Sequence, residues 1–191
     1  MSQPITVLAA LLVFTAVPAY GQAKKGSGNL DISVTYVAER SANANFRENF
    51  WMQGGSAEVG MTLWKGLGLV ADATGSHAGS VGTSGIPISL LTVTAGPRLR
   101  LRREQNLSFY VQALAGGANG FNSVFPAPAA TQSHATSLAV QVGGGIDYRL
   151  RTHFDVRLLD VGWVRTQLPN STNNVQNNLR LGAGLVFRFG R

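Results

Sequence analysis

The chain contains no cysteine among its 191 residues. This absence excludes a disulfide framework, a thiol nucleophile, thiolate metal ligands and a lipid-anchored N-terminal cysteine. Acidic residues are also scarce, with nine Asp and Glu against 16 Lys and Arg, which gives a net charge of +7. Such an excess often indicates a nucleic-acid partner. Here the arginines recur singly at alternate positions, away from any helix or RNA-binding aromatic motif, so we expect no nucleic acid.

Long apolar runs are lacking apart from one near the N-terminus. Residues 5–17 (ITVLAALLVFTAV) are apolar, and Pro18 and small residues follow them up to Ala23. This run is too short to cross a bilayer as a helix and has the size and order of a secretory signal peptide. The sequence therefore predicts a signal peptide over residues 1–23, with cleavage after Ala23, and one mature domain over residues 24–191.

Helical periodicity is absent after residue 28, and alternation of apolar and polar residues takes its place. Alternation with a period of two is typical of strands whose two faces differ. The pattern predicts eight strands, over residues 29–40, 56–65, 67–74, 91–102, 107–115, 137–151, 154–163 and 177–191.

The fourth strand shows the two faces most clearly. In LLTVTAGPRLRLRR, the apolar residues Leu91, Val93 and Leu99 alternate with Thr92, Arg98 and Arg100. In the seventh strand the alternation slips at residues 158–159. Skipping one residue there returns Val161 and Trp163 to the apolar face, which predicts a β-bulge.

The connections between the predicted strands alternate in length. Those near residues 65–66, 103–106 and 151–153 are short, whereas those near 41–53, 75–88, 119–136 and 167–176 are long and rich in Gly, Ser, Asn, Thr and Pro. Short links force neighbouring strands to be antiparallel. We therefore predict an all-β fold, an eight-stranded antiparallel up-and-down β-barrel.

Alternation does not by itself say which face of the barrel is wet. The apolar faces run almost free of charge for about the nine to eleven residues that a tilted strand needs to cross a bilayer. The polar faces carry charges of both signs together with many glycines, as the packed interior of a small barrel requires. Both features favour a transmembrane barrel with a polar lumen filled by side chains. A soluble, lipocalin-like periplasmic binding barrel remains the alternative.

The charged residues of the polar faces form the candidate site. We expect them to pair with one another, because an unpaired charge in a narrow lumen is costly. The excess of arginine among them leaves open a narrow, weakly anion-preferring porin-like channel. The predicted lumen charge network comprises Asp31, Glu58, Asp72, Arg98, Arg100, Arg102, Asp147, Arg149, Asp155, Arg157, Arg180 and Arg188.

Three segments, AGPRLRLR, GGGIDYRL and NNLRLGAGLVFRFG, resemble the outer-membrane β-barrel domain family, and within it the small OmpA/OmpX-like eight-stranded barrels. Members end in a signal that the barrel-assembly machinery recognises during insertion, and Gly184, Phe187 and Phe189 match it. Gly190 and Arg191 follow this signal, so we expect it to lie slightly inside the end of the chain.

The resemblance implies a monomer in outer-membrane lipid of a Gram-negative-type cell envelope. It also implies a structural or surface-interaction role through long extracellular loops, with a possible surface ligand. No peptidoglycan-binding domain follows the predicted barrel, so a wall-anchoring role is not expected.

Catalytic motifs are few. His77 and His134 fall in predicted long loops, where they would need to meet with Ser76 or Ser133 to form a hydrolase-like pair; His153 falls in a turn at the opposite end. No spacing matches a metal motif. We therefore predict no enzyme, no catalytic site, no cofactor and no metal. The apolar stretch over residues 121–130 is expected to fold over the rim or to offer a binding surface.

Overall fold

The computed structural model describes residues 29–43, 48–102, 106–127, 130–170 and 173–189. The predicted signal peptide lies outside these ranges. Every regular element in them is a β-strand, and the eight strands are β1 Asn29–Asn43, β2 Glu48–Trp64, β3 Leu67–Ala78, β4 Ile88–Arg102, β5 Leu107–Pro126, β6 Thr131–Arg151, β7 Phe154–Thr166 and β8 Gln176–Phe189.

The strands form a closed barrel in chain order, with every neighbouring pair antiparallel and β8 paired to β1. The predicted fold class is confirmed. The bulge predicted near residues 158–159 is also present, because the register of β7 against β8 shifts between Arg157 and Asp160.

The register fixes the slope of the strands. A row of paired residues that begins at Leu67 on β3 returns to the same strand at His77, ten residues further on. The row passes through Leu99, Val111, Gly144, Val161, Leu181, Ala38 and Gln53. This stagger requires strands tilted by roughly 40° to the barrel axis. Each row therefore climbs toward the long-loop end as it passes from β3 through β8 to β2.

The long connections are shorter than the sequence predicted. The predicted loop over residues 119–136 is mostly paired, because β5 continues to Pro126 and β6 begins at Thr131. The predicted loops near residues 41–53 and 75–88 are likewise shortened by β1, β2 and β3. The hydrogen bonds between strands join main-chain groups only. A strand can therefore continue beyond the point at which apolar and polar residues stop alternating in the sequence.

Burial in this barrel is inverted relative to a soluble protein. Large apolar side chains such as Val34, Leu69, Val93 and Leu138 are exposed on the outer wall, while charged side chains are buried inside. A soluble lipocalin-like barrel would place them the other way round, so that alternative is wrong. No helix that is long and apolar enough to span a membrane was found in the described ranges.

Aromatic side chains mark both ends of the apolar wall. Phe154 and Phe187 make an edge-to-face contact with ring centroids 5.4 Å apart near the short turns. Trp51 and Trp163 are 48% and 41% exposed toward the long loops. Aromatic residues at both borders of an apolar band are typical of membrane barrels.

Depth on the outer wall sets the cost of a charge. Val34 lies in the middle of the apolar face of β1 and is 57% exposed, whereas Leu30 lies on the same face beside Phe189 at the turn end. In lipid vesicles, Val34→Arg is expected to lower the free energy of unfolding by about 2–4 kcal/mol and Leu30→Arg by about 1 kcal/mol or less. Urea unfolding followed by tryptophan fluorescence measures both. Equal costs would contradict the assigned membrane depth.

Candidate functional site: the lumen

The lumen is lined by the inward-facing residues of all eight strands, and most of its charged groups lie toward the short turns. Because a ring of only eight strands encloses a narrow interior, charges from strands far apart in sequence come into direct contact. Three connected layers of ion pairs result, and an apolar cluster lies above them toward the long loops.

Asp147 is the centre of the layer nearest the turns. Its carboxylate accepts hydrogen bonds from Arg100 Nη1, Arg157 Nε and Arg188 Nη2, each at 3.1 Å. Arg100 also pairs with Asp31 at 3.2 Å, and Arg188 donates to Asp155. One fully buried carboxylate thus holds together arginines from three different strands.

Glu58 is the centre of the middle layer. Its oxygens accept hydrogen bonds from Arg98 Nη2 at 2.8 Å, Arg157 Nη1 at 2.5 Å and Ser33 Oγ at 2.8 Å. Both arginines also lie against the ring of Tyr110, with guanidinium carbons 4.5 and 4.6 Å from its centroid. Such cation–π contacts add to the ion pairs in a site from which water is excluded.

Tyr110 depends on a glycine of the neighbouring strand. Its hydroxyl donates to Asp160, and its ring lies over Gly145 on β6. A Cβ atom at Gly145 would lie 2.6 Å from the Tyr110 hydroxyl oxygen. The glycine therefore provides the space for the aromatic ring against which both arginines lie.

Arg180 is the centre of the third layer. Its guanidinium donates to Asp72 Oδ1 at 3.2 Å and pairs with Asp160 Oδ1 at 3.5 Å. Three uncharged groups, Ser56, Thr74 and Gln141, accept its remaining hydrogen bonds. Asp160 also lies 3.8 Å from Arg157, so this layer is continuous with the one below it.

The structure brings ten of the twelve predicted lumen residues into this network. They are Asp31, Glu58, Asp72, Arg98, Arg100, Asp147, Asp155, Arg157, Arg180 and Arg188. The side chain of Arg102 lies outside the described part. Arg149 faces inward beside Asp155 but makes no ion pair with a described residue, and its Nε atom is buried without a hydrogen bond.

Sequence reasoning missed two buried carboxylates, Asp160 and Glu39. Asp160 reaches the lumen because of the bulge, a signal that was available in the sequence. Glu39 has the same parity on β1 as Asp31 and was equally accessible to the alternation argument. With both included, five buried arginines (98, 100, 157, 180 and 188) face seven buried carboxylates (31, 39, 58, 72, 147, 155 and 160). The expected excess of arginine in the lumen is therefore wrong for the described side chains.

Glu39 differs from the other carboxylates because it makes no ion pair within 4 Å in the described structure. It is 1% exposed and accepts a single side-chain hydrogen bond, from Asn178 Nδ2 at 3.4 Å. It pairs through its main chain with Arg180 on one side and Met52 on the other. Glu39 therefore lies at the border between the charged layers and the apolar cluster.

An apolar plug closes the long-loop end of the lumen. It consists of buried side chains from β2 to β6 together with one from the connection between β7 and β8, and its members are Met52, Ala78, Leu90, Ala118, Phe125, Ala135, Ala139 and Leu168. The sequence predicted a polar lumen, which holds for the layers below but not for this end. Most plug residues fall where a loop was predicted, so their inward parity was not recognised.

Phe125, near the end of β5, and Leu168, in the connection between β7 and β8, are two large side chains of the plug. The register of β5 against β6 shifts between Phe121 and Phe125, and Asn122 within that bulge has a φ of 55°, which turns the Phe125 ring into the mouth. The ring packs over Gly120, where a Cβ atom would lie 2.6 Å from it. Leu168 is held by the Gln176 side chain, which accepts from its N–H at 2.9 Å and donates to its carbonyl at 2.8 Å. In the described part of the segment predicted over residues 121–130, Phe125 thus contributes to the cap of the lumen.

The histidines do not form a hydrolase-like pair. His77 on β3 is exposed and hydrogen-bonded to Ser89 Oγ at 3.0 Å, whereas His134 on β6 is exposed and paired with Phe121. Three strand spacings separate them, which is about 14 Å. Ser76 faces the lumen instead of either histidine. Among the described residues, no group of three His, Asp or Glu side chains is placed to hold a metal ion.

The three predicted assembly-signal residues lie on β8 at its seam with β1. Phe187 and Phe189 point outward beside Ile32 and Leu30, and Gly184 lies beside Thr35. A Cβ atom at Gly184 would lie 2.1 Å from the Val34 carbonyl oxygen, so the glycine permits close approach where the barrel closes.

The family of this chain is established by its match to a model of a protein family. The model of the outer membrane protein β-barrel domain matches residues 6–189. The chain belongs to this family. The protein is therefore an outer-membrane β-barrel protein, located in the outer membrane of a Gram-negative-type envelope, and its apolar wall faces the lipid bilayer.

Solved structures support the fold of this family member. Neisserial surface protein A is similar with a TM-score of 0.64 at 15% identity, covering 85% of this chain and 99% of that one. The attachment invasion locus protein Ail of Yersinia pestis gives 0.56 at 18%, covering 84% and 99%. OprG of Pseudomonas aeruginosa gives 0.55 at 11%, covering 86% and 97%. A comparison with curated proteins found no match.

Asp147 and Glu39 are expected to respond oppositely to loss of charge. Asp147→Ala leaves three buried arginines without their shared partner and should lower the free energy of unfolding by about 3 kcal/mol. Glu39→Gln removes a charge that has no ion-pair partner in the described structure, so it should be neutral or stabilising. Urea unfolding in lipid vesicles compares the two. An equal loss for both would show that the network does not depend on the pairing seen here.

Proposed function

We propose that this protein is a closed, non-enzymatic outer-membrane barrel that acts at the cell surface through its extended loop-side hairpins. The observation that carries this proposal is the filling of the lumen along its length, by ion pairs toward the turns and by the apolar plug toward the loops. A monomer is the form we infer, because the ring of eight strands closes on itself. The seam residues Gly184, Phe187 and Phe189 are proposed to be read by the assembly machinery during insertion.

The alternative role of a narrow channel is disfavoured by the same filling. A conducting path needs hydrated space, whereas the guanidinium groups of Arg98, Arg157 and Arg180 lie across the lumen in contact with carboxylates from other strands. The predicted anion preference of such a channel depended on an excess of arginine in the lumen. Buried carboxylates instead outnumber buried arginines among the described residues.

Conductance across planar bilayers tests closure. The refolded protein is expected to give no resolved current steps. The double variant Phe125→Ala/Leu168→Ala truncates two large side chains of the plug and should remain silent, because the ion-pair layers beneath the plug still occupy the lumen. Steps from the wild-type protein would refute closure. Steps from the variant alone would show that the plug is the sole barrier.

The hairpin formed by β5 and β6 is the longest in the barrel and carries the proposed surface role. No charged residue occurs from Leu107 to Ile146, and Phe121 and Val124 are exposed near its tip. An exposed apolar patch at a tip is typical of an interaction site. Ail has been solved with the heparin analogue sucrose octasulfate. The loop-side part of this hairpin, from Leu107 to Ile146, has no Lys or Arg to bind such a polyanion, so an apolar contact surface fits it better.

Retention of whole cells on octyl-agarose tests this surface role. Cells that display the wild-type protein should be retained more than cells without it, and Val124→Lys should abolish the difference. Thr136→Lys is the matched control, since it adds the same charge to an exposed polar position of the same hairpin. Equal loss in both variants, or loss in neither, would exclude the Val124 patch as the contact.

A further inference from the structure

The exposed charged side chains in the described part of the barrel are all positive. Seven of the nine acidic residues are buried in the lumen, and the side chains of the other two, Glu48 and Glu104, are outside the described part. The exposed charged side chains in the described structure are Arg40, Lys65, Arg151 and Arg165. None of the four makes an ion pair with a described residue, so the described part of the wall offers these cations no anion.

Two of these cations lie on one side of the barrel near the long loops. Arg40 on β1 pairs with Trp51 on β2 and with Leu179 on β8, and Leu179 pairs in turn with Trp163 on β7. Arg165 lies two residues beyond Trp163 on the same outward face. Two strand spacings and two residue rises separate the Cα atoms of Arg40 and Arg165, which is about 12 Å.

The strand tilt brings the two arginines to nearly the same height. The row from Trp163 to Trp51 climbs toward the loops, so Arg40 lies above Trp163 and below Trp51. Arg165 is raised above Trp163 by its own position along β7. Because tryptophans lie at the level of the headgroups, both guanidinium groups are at the outer border of the apolar wall.

We propose that Arg40 and Arg165 form a docking site for a phosphorylated lipid headgroup of the outer leaflet. Long loops face outward in barrels of this kind, which places the pair in that leaflet. A guanidinium group binds phosphate through paired hydrogen bonds and tolerates partial removal from water better than an ammonium group does. Leu179 beside Arg40 supplies apolar contact for the lipid below the headgroup, and Trp51 lies beside Arg40 at the level of the headgroup itself.

Among the described residues, the exposed Lys and Arg side chains of the loop-side rim lie only on this side. At the loop ends of β3, β5 and β6 the outward positions are held by His77, Phe121 and His134 instead of Lys or Arg. A lipid-borne phosphate would therefore select the face formed by β7, β8 and β1. Arg151 carries an equivalent exposed charge at the opposite, turn-side end and serves as the matched control.

Unfolding in vesicles of defined composition tests the proposal. The protein is refolded in phosphatidylcholine vesicles with increasing fractions of diphosphoryl lipid A, or of the same lipid without phosphate. A ligand that binds only the folded state raises the unfolding midpoint by mass action. The lipid fraction that gives half of this shift should increase about fivefold for Arg40→Gln and for Arg165→Gln, and on the order of twentyfold for both together. Arg151→Gln should match the wild type.

The outcomes separate the site from its alternatives. An equal shift with the dephosphorylated lipid, or an equal effect of Arg151→Gln, would overturn the proposal in favour of general attraction to lipid. Abolition of the shift by inorganic phosphate in the buffer would overturn the lipid source and leave a soluble-anion site. The substituted side chains are exposed on the wall, so each variant is expected to assemble. Heat-modifiable migration on a gel checks that it has done so.

Discussion

The pairing of buried arginines with buried carboxylates is the constraint on which this barrel depends. A guanidinium group transferred from water into a narrow interior costs several kcal/mol unless its hydrogen bonds are replaced. Asp147 and Glu58 each satisfy more than one arginine, and each brings together strands distant in sequence, such as β2 with β7 through Glu58 and Arg157. The network therefore fixes the register of the ring as well as neutralising its charge, because slippage of one strand by one residue would turn its charges toward lipid.

The same requirement explains the division of the lumen into two parts. Charged layers need several strands converging on each group, and the turn-side and central parts of the barrel provide them. Toward the loops the inward residues become small or apolar, and Ala118, Ala135 and Ala139 leave room for Phe125 and Leu168 to enter from above. Water that reached the charged layers would weaken each ion pair, so the plug strengthens the interactions beneath it by excluding solvent.

Alternation was sufficient to predict the barrel, because the side-chain period of two is imposed by the strand itself and survives any change of neighbours. It also located the bulge at residues 158–159, which the register of β7 shows. It did not predict the plug, since Phe125 owes its inward direction to a second bulge at Asn122 in a segment without alternation. Nor could parity show that Arg149, which faces inward, makes no ion pair with a described residue. Parity gives the face of a side chain, whereas its partners depend on the register of strands that the sequence does not specify.

Charge sorting across the wall completes the physical account of this family member. The fully buried charges of the described lumen comprise two more carboxylates than arginines, so the rest of the chain, which includes the partly buried Arg149, must carry nine positive charges in excess to give the net charge of +7. A basic composition in this protein therefore reflects its exterior and its undescribed segments rather than its lumen. Acidic residues inside are stabilised by arginines fixed in place by the fold. The exposed basic residues of the described wall have no such partner among the described residues, and the anionic headgroups at the borders of the wall supply the complementary charge. The charges of this chain are therefore compensated in two places: buried arginines and carboxylates pair with one another in the lumen, and exposed basic residues face the anionic headgroups of the membrane.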